Sequence, residues 1–260
     1  RAALERSGWR VVFANDIEPF KEAIYSANFD SRDFVLGDVR NVRGCDIPDI
    51  ELATASFPCT DLSLAGYRRG LDGDQSGMFW EFARVLDEMG DRRPVAVLLE
   101  NVPSFATSKG GRDLVAAISR LNDLGYACQL TIGDARRFVP QSRQRLFIVG
   151  SRAAGMSIGS IPQASLPGFD AIEPSQQPAW LRQFVEGHPH LRARLLEIAL
   201  PPTSGATLAD VVENLEDDDH RWWNVARTNR FVESLSPHQA VRLDALRERL
   251  ATPPSATVAI

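Results

Sequence analysis

Four side chains that could do chemistry come directly after apolar stretches typical of buried strands. Asp16 follows VVFAN, Cys59 follows LATASFP and Glu100 follows VAVLL, while Asp38 closes the shorter stretch FVLG. A cysteine thiolate is a nucleophile, and a carboxyl group accepts hydrogen bonds or exchanges a proton with a substrate. A lone cysteine is more often a buried structural residue, so the other three side chains are what favours a reactive site.

The segments around these residues alternate between strand-like and helix-like patterns. Predicted strands are WRVVFAND, ELATASF, VAVLLEN, YACQLTI and RLFIVGS, and predicted helices are PFKEAIYSANF, SGMFWEFARVLDEMG and GRDLVAAISRLNDLG. This order predicts an α/β fold with a doubly wound, mainly parallel sheet and helices on both faces. Ligands bind beyond the carboxyl ends of such strands, so we expect the four side chains to lie near one another.

The composition changes after about Arg152. A Pro-, Gly- and Ser-rich stretch, GSIPQASLPGFDAIEPSQQP, predicts a linker, and a domain boundary is expected within residues 152–178. The remainder predicts a second, smaller, partly helical region, with helix-like pieces at AWLRQFVEG, HLRARLLEIAL, TLADVVENL and SPHQAVRLDALRERL.

Bulk properties exclude several classes of protein. Apolar residues at 44% and charged residues at 24% are typical of an ordinary globular chain. Neither an apolar run of membrane-spanning length nor a secretory leader is present in the sequence, which predicts a cytoplasmic protein with no membrane association. Three scattered cysteines without a Cys-x-x-Cys pair predict neither a disulfide framework nor a metal site.

Several motifs, taken in order, resemble those of the 5-cytosine DNA methyltransferase family. They are ANDIEPF, GDVRNV, SFPCTDLS, LLENVPSF and VPQSRQRLFIVG, and together they cover roughly residues 1–150. The resemblance implies a Rossmann-like methyltransferase fold. It also implies transfer of a methyl group from S-adenosylmethionine to carbon 5 of cytosine in duplex DNA, in bacterial restriction-modification or DNA methylation.

The resemblance assigns catalytic roles to four residues. Cys59 would be the nucleophile that adds to carbon 6 of cytosine, which makes carbon 5 able to attack the methyl group. Glu100 would hold the cytosine edge and supply a proton or a strong hydrogen bond to its N3. Arg145 would help to bind the flipped base, and Arg143 would support the active site.

The resemblance also implies which residues bind the cofactor. Asp16 would bind the ribose hydroxyls, as an acidic residue does in dinucleotide-binding folds, and Ile17 would pack on the adenine. The adenine amine and ring would be contacted by Asp38 and Val39. Phe57 and Pro58 complete the cofactor-binding set.

Double-stranded DNA is the implied partner, and the target base must leave the helix because its reacting carbons are otherwise stacked. The segment GYRRGLDGDQSG, with four glycines, is expected to close over the DNA. The residues assigned to substrate DNA are Ser63, Arg68, Arg69, Asn101, Val102 and Gln141. The protein is expected to act as a monomer.

Three features depart from the family pattern. The family's glycine-rich cofactor loop is expected before Arg1, its late motifs are expected beyond Ile260, and Thr60 stands where the family usually has glutamine. The expected domains are therefore an N-terminally incomplete catalytic domain, residues 1–155, and a linker with the start of a target-recognition region, residues 156–260.

Other readings stay open on the sequence alone. A cysteine hydrolase would need a histidine base, but the four histidines all lie after residue 187. A zinc deaminase would need a His-x-Glu motif and a second cysteine. An RNA cytosine methyltransferase would share the chemistry, and a non-catalytic DNA-binding homologue would share the fold. The arginines near the last motif also fit a solvated basic patch: Arg136, Arg137, Arg143, Arg145 and Arg152.

Overall fold

The computed structural model describes residues 1–57, 77–152, 174–197, 200–201, 203–213, 215–216 and 218–251. The chain divides into two compact units, Arg1–Asp210 and Val211–Ile260. Strands of the first unit are β1 (Ala14–Asp16), β2 (Phe34–Leu36), β3 (Leu52–Ala55), β4 (Ala96–Asn101), β5 (Ala127–Asp134), β6 (Gln144–Ser151) and β7 (Ala193–Leu195). Its helices are α1 (Ala2–Arg6), α2 (Pro19–Asn28), α3 (Met78–Glu88), α4 (Arg112–Asp123) and α5 (Ala179–Gly187).

The strands form two sheets. β1 and β2 pair in parallel, and a second sheet has the order β3-β4-β6-β5-β7. β3 is parallel to β4 and β7 is parallel to β5, whereas β6 is antiparallel to both of its neighbours. The α/β class is therefore confirmed, with a correction to the sheet: four strands share one direction, and the reversed β6 between β4 and β5 makes it mixed.

Two amphipathic helices supply much of the core. α3 buries Phe79, Ala83 and Leu86, and α4 buries Leu114, Ile118 and Leu121, at the three- and four-residue spacing of one helix face. Each such large apolar side chain contributes about 1.5–3 kcal/mol relative to an exposed one. This core fixes the strand ends on which the candidate site is built.

Two helix predictions after residue 178, for residues 190–200 and 207–215, are wrong. Residues 190–200 contain β7, in which Ala193 pairs with Cys128 and Leu195 with Leu130. A helix at these positions would leave the outer edge of β5 without backbone partners, and the pairing with β7 supplies them. Residues 207–215 contain only a short 3₁₀ turn at Leu208–Asp210 among their described positions.

The second unit contains α6 (Val225–Glu233) and α7 (Pro237–Ala251). α7 was predicted from its apolar spacing, whereas α6 was not. Its first turn is capped by Asn224, whose side chain accepts a hydrogen bond from the Arg227 N–H at 2.9 Å. The helices in the described part of the chain lack the length and apolar content needed to cross a membrane.

The compact units do not coincide with the expected domain limits. β7 and α5 belong to the first unit, because the contact units separate between Asp210 and Val211. The functional division into residues 1–155 and 156–260 remains a prediction.

Candidate active site

A cavity of about 820 Å³ is lined by residues of β1, β3 and α3 and by the segment 37–42. The five predicted cofactor-binding residues that the structure describes all line it: Asp16, Ile17, Asp38, Val39 and Phe57. A cavity of this volume lies within the range of small-molecule sites. Of the four strand-end side chains, Asp16 and Asp38 meet at this cavity, whereas Glu100 does not line it and Cys59 lies outside the described residues.

Two acidic side chains stand at strand ends on this cavity. Asp16, the last residue of β1, accepts a hydrogen bond from the Glu18 N–H at 3.0 Å and forms an ion pair with Lys21 at 3.0 Å. Asp38, two residues after β2, accepts the Arg40 N–H at 2.9 Å and so caps a short 3₁₀ turn at Val39–Asn41. Both carboxyl groups are held by local contacts and remain partly exposed.

Apolar side chains form the rest of the lining. The buried Phe57 packs its ring against Phe79 at 5.7 Å and edge-on against Phe105 at 5.4 Å, measured between ring centroids. Ile17 is 58% exposed and Val39 is half-buried. Carboxylates beside apolar surfaces fit a ligand that has hydroxyl and amine groups on an aromatic base, so the residues present suit the adenosine part of S-adenosylmethionine.

Glu100, near the end of β4, and Arg145, near the start of β6, lie next to each other. Glu100 pairs with Phe147 across the two strands, and Arg145 lies two residues from Phe147, so its side chain is on the same face. The Arg145 Nε lies 2.6 Å from the Glu100 Oε1. Gly133 lies directly opposite Arg145 on β5, where a Cβ would come within 2.8 Å of the Phe147 ring.

Three arginines of the predicted basic patch are bound within the protein. Arg145 pairs with Glu100, and Arg137 is only 6% exposed and donates a hydrogen bond to the Pro201 carbonyl at 2.6 Å. Arg152 donates to the Arg93 carbonyl at 3.0 Å and lies over the Tyr126 ring. The solvated-patch interpretation is therefore wrong for Arg137, whereas Arg145 and Arg152 remain partly exposed beside their partners.

Asn101 connects the end of β4 to the chain after β3. Its side-chain Nδ2 donates to the Phe57 carbonyl at 3.1 Å, and its Oδ1 accepts the Val102 N–H at 2.8 Å. The residue is only 5% exposed. Both halves of the amide are bound to the backbone, which favours a positioning role over the predicted contact with DNA. Val102 is half-buried.

The remaining predicted residues divide into two groups. Arg143 and Gln141 are exposed just before β6, where the Arg143 N–H donates to the Asp134 Oδ1 at 2.9 Å. The others lie outside the described residues: Pro58, Cys59, Ser63, Arg68 and Arg69. Cys59 follows Phe57 by two positions in the sequence.

The other two cysteines differ in their surroundings. Cys128 is buried on β5, and burial raises the pKa of its thiol to about 12, so the thiol stays protonated and unreactive at neutral pH. Cys45 is exposed. Among the described residues, no group of three or more His, Cys, Asp or Glu side chains is placed to hold a metal ion.

Sequence reasoning missed three features of this region. The reversal of β6 was not predicted, although only that reversal places the start of β6 beside the end of β4. The bond from Asn101 to Phe57 was not predicted. Arg84, on α3, donates to three carbonyls beside Asp38, and no local motif indicated it.

Acidic side chains at strand ends, beside a cavity in the size range of small-molecule sites, are typical of an α/β ligand-binding protein. The family model described as C-5 cytosine-specific DNA methylase matches residues 1–240. The chain therefore belongs to this family.

Curated relatives agree with the family assignment. The chain is 32% identical over 152 residues to the type II methyltransferase M.Bsp6I of Bacillus sp. (strain RFL6), covering 57% of this chain and 47% of the relative. It is 29% identical over 205 residues to the type II methyltransferase M.MspI of Moraxella sp., covering 74% and 48% respectively. The chain thus spans about half the length of the curated relatives it matches.

A solved structure shows the same fold. A crystal structure of a variant of DNMT2 from Spodoptera frugiperda aligns with a TM-score of 0.51 at 20% sequence identity, covering 83% of this chain and 56% of that one. This likeness supports the Rossmann-like methyltransferase architecture.

Proposed function

We propose that the protein is a DNA (cytosine-5)-methyltransferase that transfers a methyl group from S-adenosylmethionine to cytosine in duplex DNA. Family membership supports the reaction class. The observation that carries the proposal is the meeting of three motif segments at one sheet edge. Glu100 is bound by Arg145 from β6, and the neighbouring Asn101 is bound to the chain that leads to Cys59.

The proposed chemistry begins with covalent catalysis by Cys59. Its thiolate forms a bond to carbon 6 of a flipped-out cytosine, and the electron pair of the 5,6 double bond becomes available at carbon 5. Carbon 5 then takes the methyl group. Loss of the carbon 5 proton to a base returns that electron pair to the ring and expels the thiolate.

Glu100 acts on the opposite edge of the ring in this proposal. Electron density rises at N3 when the thiolate adds, and a carboxyl group within hydrogen-bond reach can donate a proton there. Arg145 holds the Glu100 Oε1, so we assign the Oε2 to the base. Anchoring one oxygen fixes the direction of the other, which is what positioning of a reacting group requires.

The cofactor is assigned to the 820 Å³ cavity. S-adenosylmethionine supplies an electrophilic methyl group on a positively charged sulfur. Asp16 is assigned to the ribose hydroxyls, Asp38 to the adenine amine, and Ile17 and Val39 to the adenine ring. Phe57 lines the same cavity and comes directly before Pro58 and the assigned nucleophile Cys59 in the sequence.

The names of the relatives support a biological setting. They are type II methyltransferases of bacteria, so we place this protein in the cytoplasm of a bacterium, acting on DNA in a restriction-modification system or a related methylation pathway. Arg68, Arg69, Ser63 and Gln141 remain assigned to DNA in this proposal. Monomeric action also remains a prediction.

A methyl-transfer assay tests the proposed function. The full-length protein is incubated with tritiated-methyl S-adenosylmethionine and either mixed-sequence duplex DNA or transfer RNA. We expect label in the DNA alone, recovered as 5-methylcytosine after hydrolysis. Label confined to transfer RNA would instead support the RNA methyltransferase alternative, and label in neither would favour a non-catalytic homologue.

Replacing Asn101 with alanine is expected to lower kcat by about 10- to 100-fold, because small misplacements of reacting groups have effects of that size. The Phe57 carbonyl would lose its donor, so the chain that leads to Cys59 would no longer be tied to the end of β4. The affinities for cofactor and DNA should change much less than kcat. Steady-state kinetics and binding titrations separate the two effects.

Asn122 provides the matched control. Its side chain also ties two backbone segments together, through the Tyr126 carbonyl at 2.9 Å and the Arg192 N–H at 2.7 Å, but it lies outside the candidate site. Asn122→Ala should lower thermal stability to a similar extent while kcat is retained. Equal losses of kcat in both variants would mean that Asn101 is merely structural.

A further inference from the structure

We propose that Arg84 is a positioning residue for the cofactor, which holds the Asp38–Val42 segment in the shape that the adenosine part requires. The proposal rests on the proposed function, because it takes the 820 Å³ cavity as the cofactor site. Arg84 does not need to touch the cofactor. It acts through the backbone of the segment that carries Asp38 and Val39.

One guanidinium nitrogen gathers three carbonyls of this segment. The Arg84 Nη2 lies 3.2 Å from the Val39 carbonyl oxygen, 3.3 Å from that of Arg40 and 3.0 Å from that of Val42. Hydrogen bonds from a charged donor are stronger than neutral ones. Three carbonyls aimed at one cation define the curvature of the segment.

The guanidinium is itself fixed on α3. Its Nε lies 2.7 Å from the Glu81 carboxylate and its Nη1 lies 2.6 Å from the Glu88 carboxylate, one turn away on either side. The second oxygen of Glu88 accepts the Gly44 N–H at 2.8 Å. Because Gly44 and Arg84 both bind this carboxylate, the pKa of Glu88 is lowered and the group stays charged.

The segment depends on such support. It contains only a three-residue 3₁₀ turn, held by the bond from Arg40 N–H to Asp38 and by the Val42 N–H to the Val39 carbonyl at 3.1 Å. A turn this short is not stable alone. In contrast, α3 is anchored by Phe79 and Ala83, which are both fully buried.

Arg84 therefore transfers the rigidity of the core to the cofactor edge. Only arginine combines the fork that fits two carboxylates with a further nitrogen for the carbonyls. A lysine at this position keeps the charge and much of the length, but its single ammonium group cannot reach all of these partners. The geometry thus distinguishes arginine from lysine as well as from alanine.

The test measures S-adenosylhomocysteine binding by calorimetry on the full-length protein and its Arg84→Lys and Arg84→Ala variants. We expect the dissociation constant to rise about 10- to 100-fold in Arg84→Ala, the scale of losing hydrogen bonds to a charged group, and by a smaller factor in Arg84→Lys. The KM for the cofactor should rise in parallel, while kcat at saturating cofactor and the affinity for DNA are retained.

Arg93→Ala is the matched control. The Arg93 guanidinium also bridges elements, but it binds the Leu124 carbonyl at 3.0 Å and Asp87 at 3.3 Å instead of the Asp38–Val42 segment. This variant should lose thermal stability and keep the affinity for S-adenosylhomocysteine. If Arg84→Ala does not fold, the Arg84→Lys variant tests the proposal. In that variant we expect faster amide hydrogen exchange at residues 39–44 and unchanged exchange in α4.

The outcomes separate the two proposals. If the unaltered protein binds S-adenosylhomocysteine and the Arg84 variants bind it equally well, the positioning role is overturned and the proposed function stands. If the unaltered protein does not bind this compound, the cofactor assignment and the role of Arg84 both fall.

Discussion

Replacing Cys59 with alanine is expected to lower the rate of methyl transfer by about four to six orders of magnitude, the scale on which an enzyme loses activity with its nucleophile. Without the thiolate, nothing adds to carbon 6, and carbon 5 of cytosine is too weak a nucleophile to take the methyl group. Tritiated-methyl transfer to duplex DNA, with the full-length protein at saturating cofactor, measures the loss. The affinity for S-adenosylhomocysteine should be retained.

The other two cysteines provide controls for this substitution. Cys45 is exposed and Cys128 is buried, so Cys45→Ser tests for nonspecific thiol effects without disturbing the core. It should leave the rate unchanged. Turnover by Cys59→Ala near the unaltered rate would show that the nucleophile is another group, and the covalent route would have to be abandoned.

Replacing Glu100 with glutamine is expected to lower methyl transfer by about two to four orders of magnitude, the usual contribution of a general acid. The amide keeps the size of the side chain and leaves an oxygen for Arg145. It cannot supply the carboxylic proton to N3. DNA affinity should fall much less than the rate, because phosphate contacts dominate that affinity.

Glu22 on α2 is half-buried, lies on a different element from Glu100, and supplies the control. Glu22→Gln removes the same charge from the protein without touching the sheet edge, so its rate should match that of the unaltered protein. A Glu100→Gln variant with ordinary turnover would leave Glu100 with a structural role only, as the partner of Arg145.

Local patterns predicted most elements of the first 152 residues, because strand and helix periodicities there are strong. The stretch VAVLLEN became β4, and the helix-spaced residues of GRDLVAAISRLNDLG became the buried face of α4. These local patterns could not predict the direction in which a strand runs in the sheet. YACQLTI and RLFIVGS were both predicted as strands, yet the reversal of β6 depends on pairing with β4, which is nearly 50 residues earlier in the sequence.

The same limit explains the wrong helix at residues 190–200. Its apolar spacing suits a helix, but the edge of β5 offers backbone partners, and pairing between distant segments decides the outcome. Local spacing carries no information about a distant edge. The linker prediction at 159–178 falls mostly on residues outside the described ranges.

The candidate site shows a similar division. Residue types at strand ends, together with the family motifs, predicted Asp16, Asp38 and Glu100 as site residues. The supporting contacts arise only in three dimensions: Asn101 reaches the Phe57 carbonyl across 44 positions, and Arg84 reaches the Val42 carbonyl across 42. Motifs can therefore suggest which groups react, while the side chains that hold those groups in place become visible only in the folded structure.

Covalent trapping tests the central claim most directly. Full-length protein is incubated with S-adenosylmethionine and duplex DNA that carries 5-fluorocytosine at the target site, and the conjugate is digested and analysed by mass spectrometry. Fluorine at carbon 5 cannot leave as a proton does, so methylation should stop at a stable adduct, with the methylated fluorocytosine attached to the peptide that contains Cys59. An adduct on a different residue, or no adduct under conditions in which ordinary cytosine is methylated, would contradict the account.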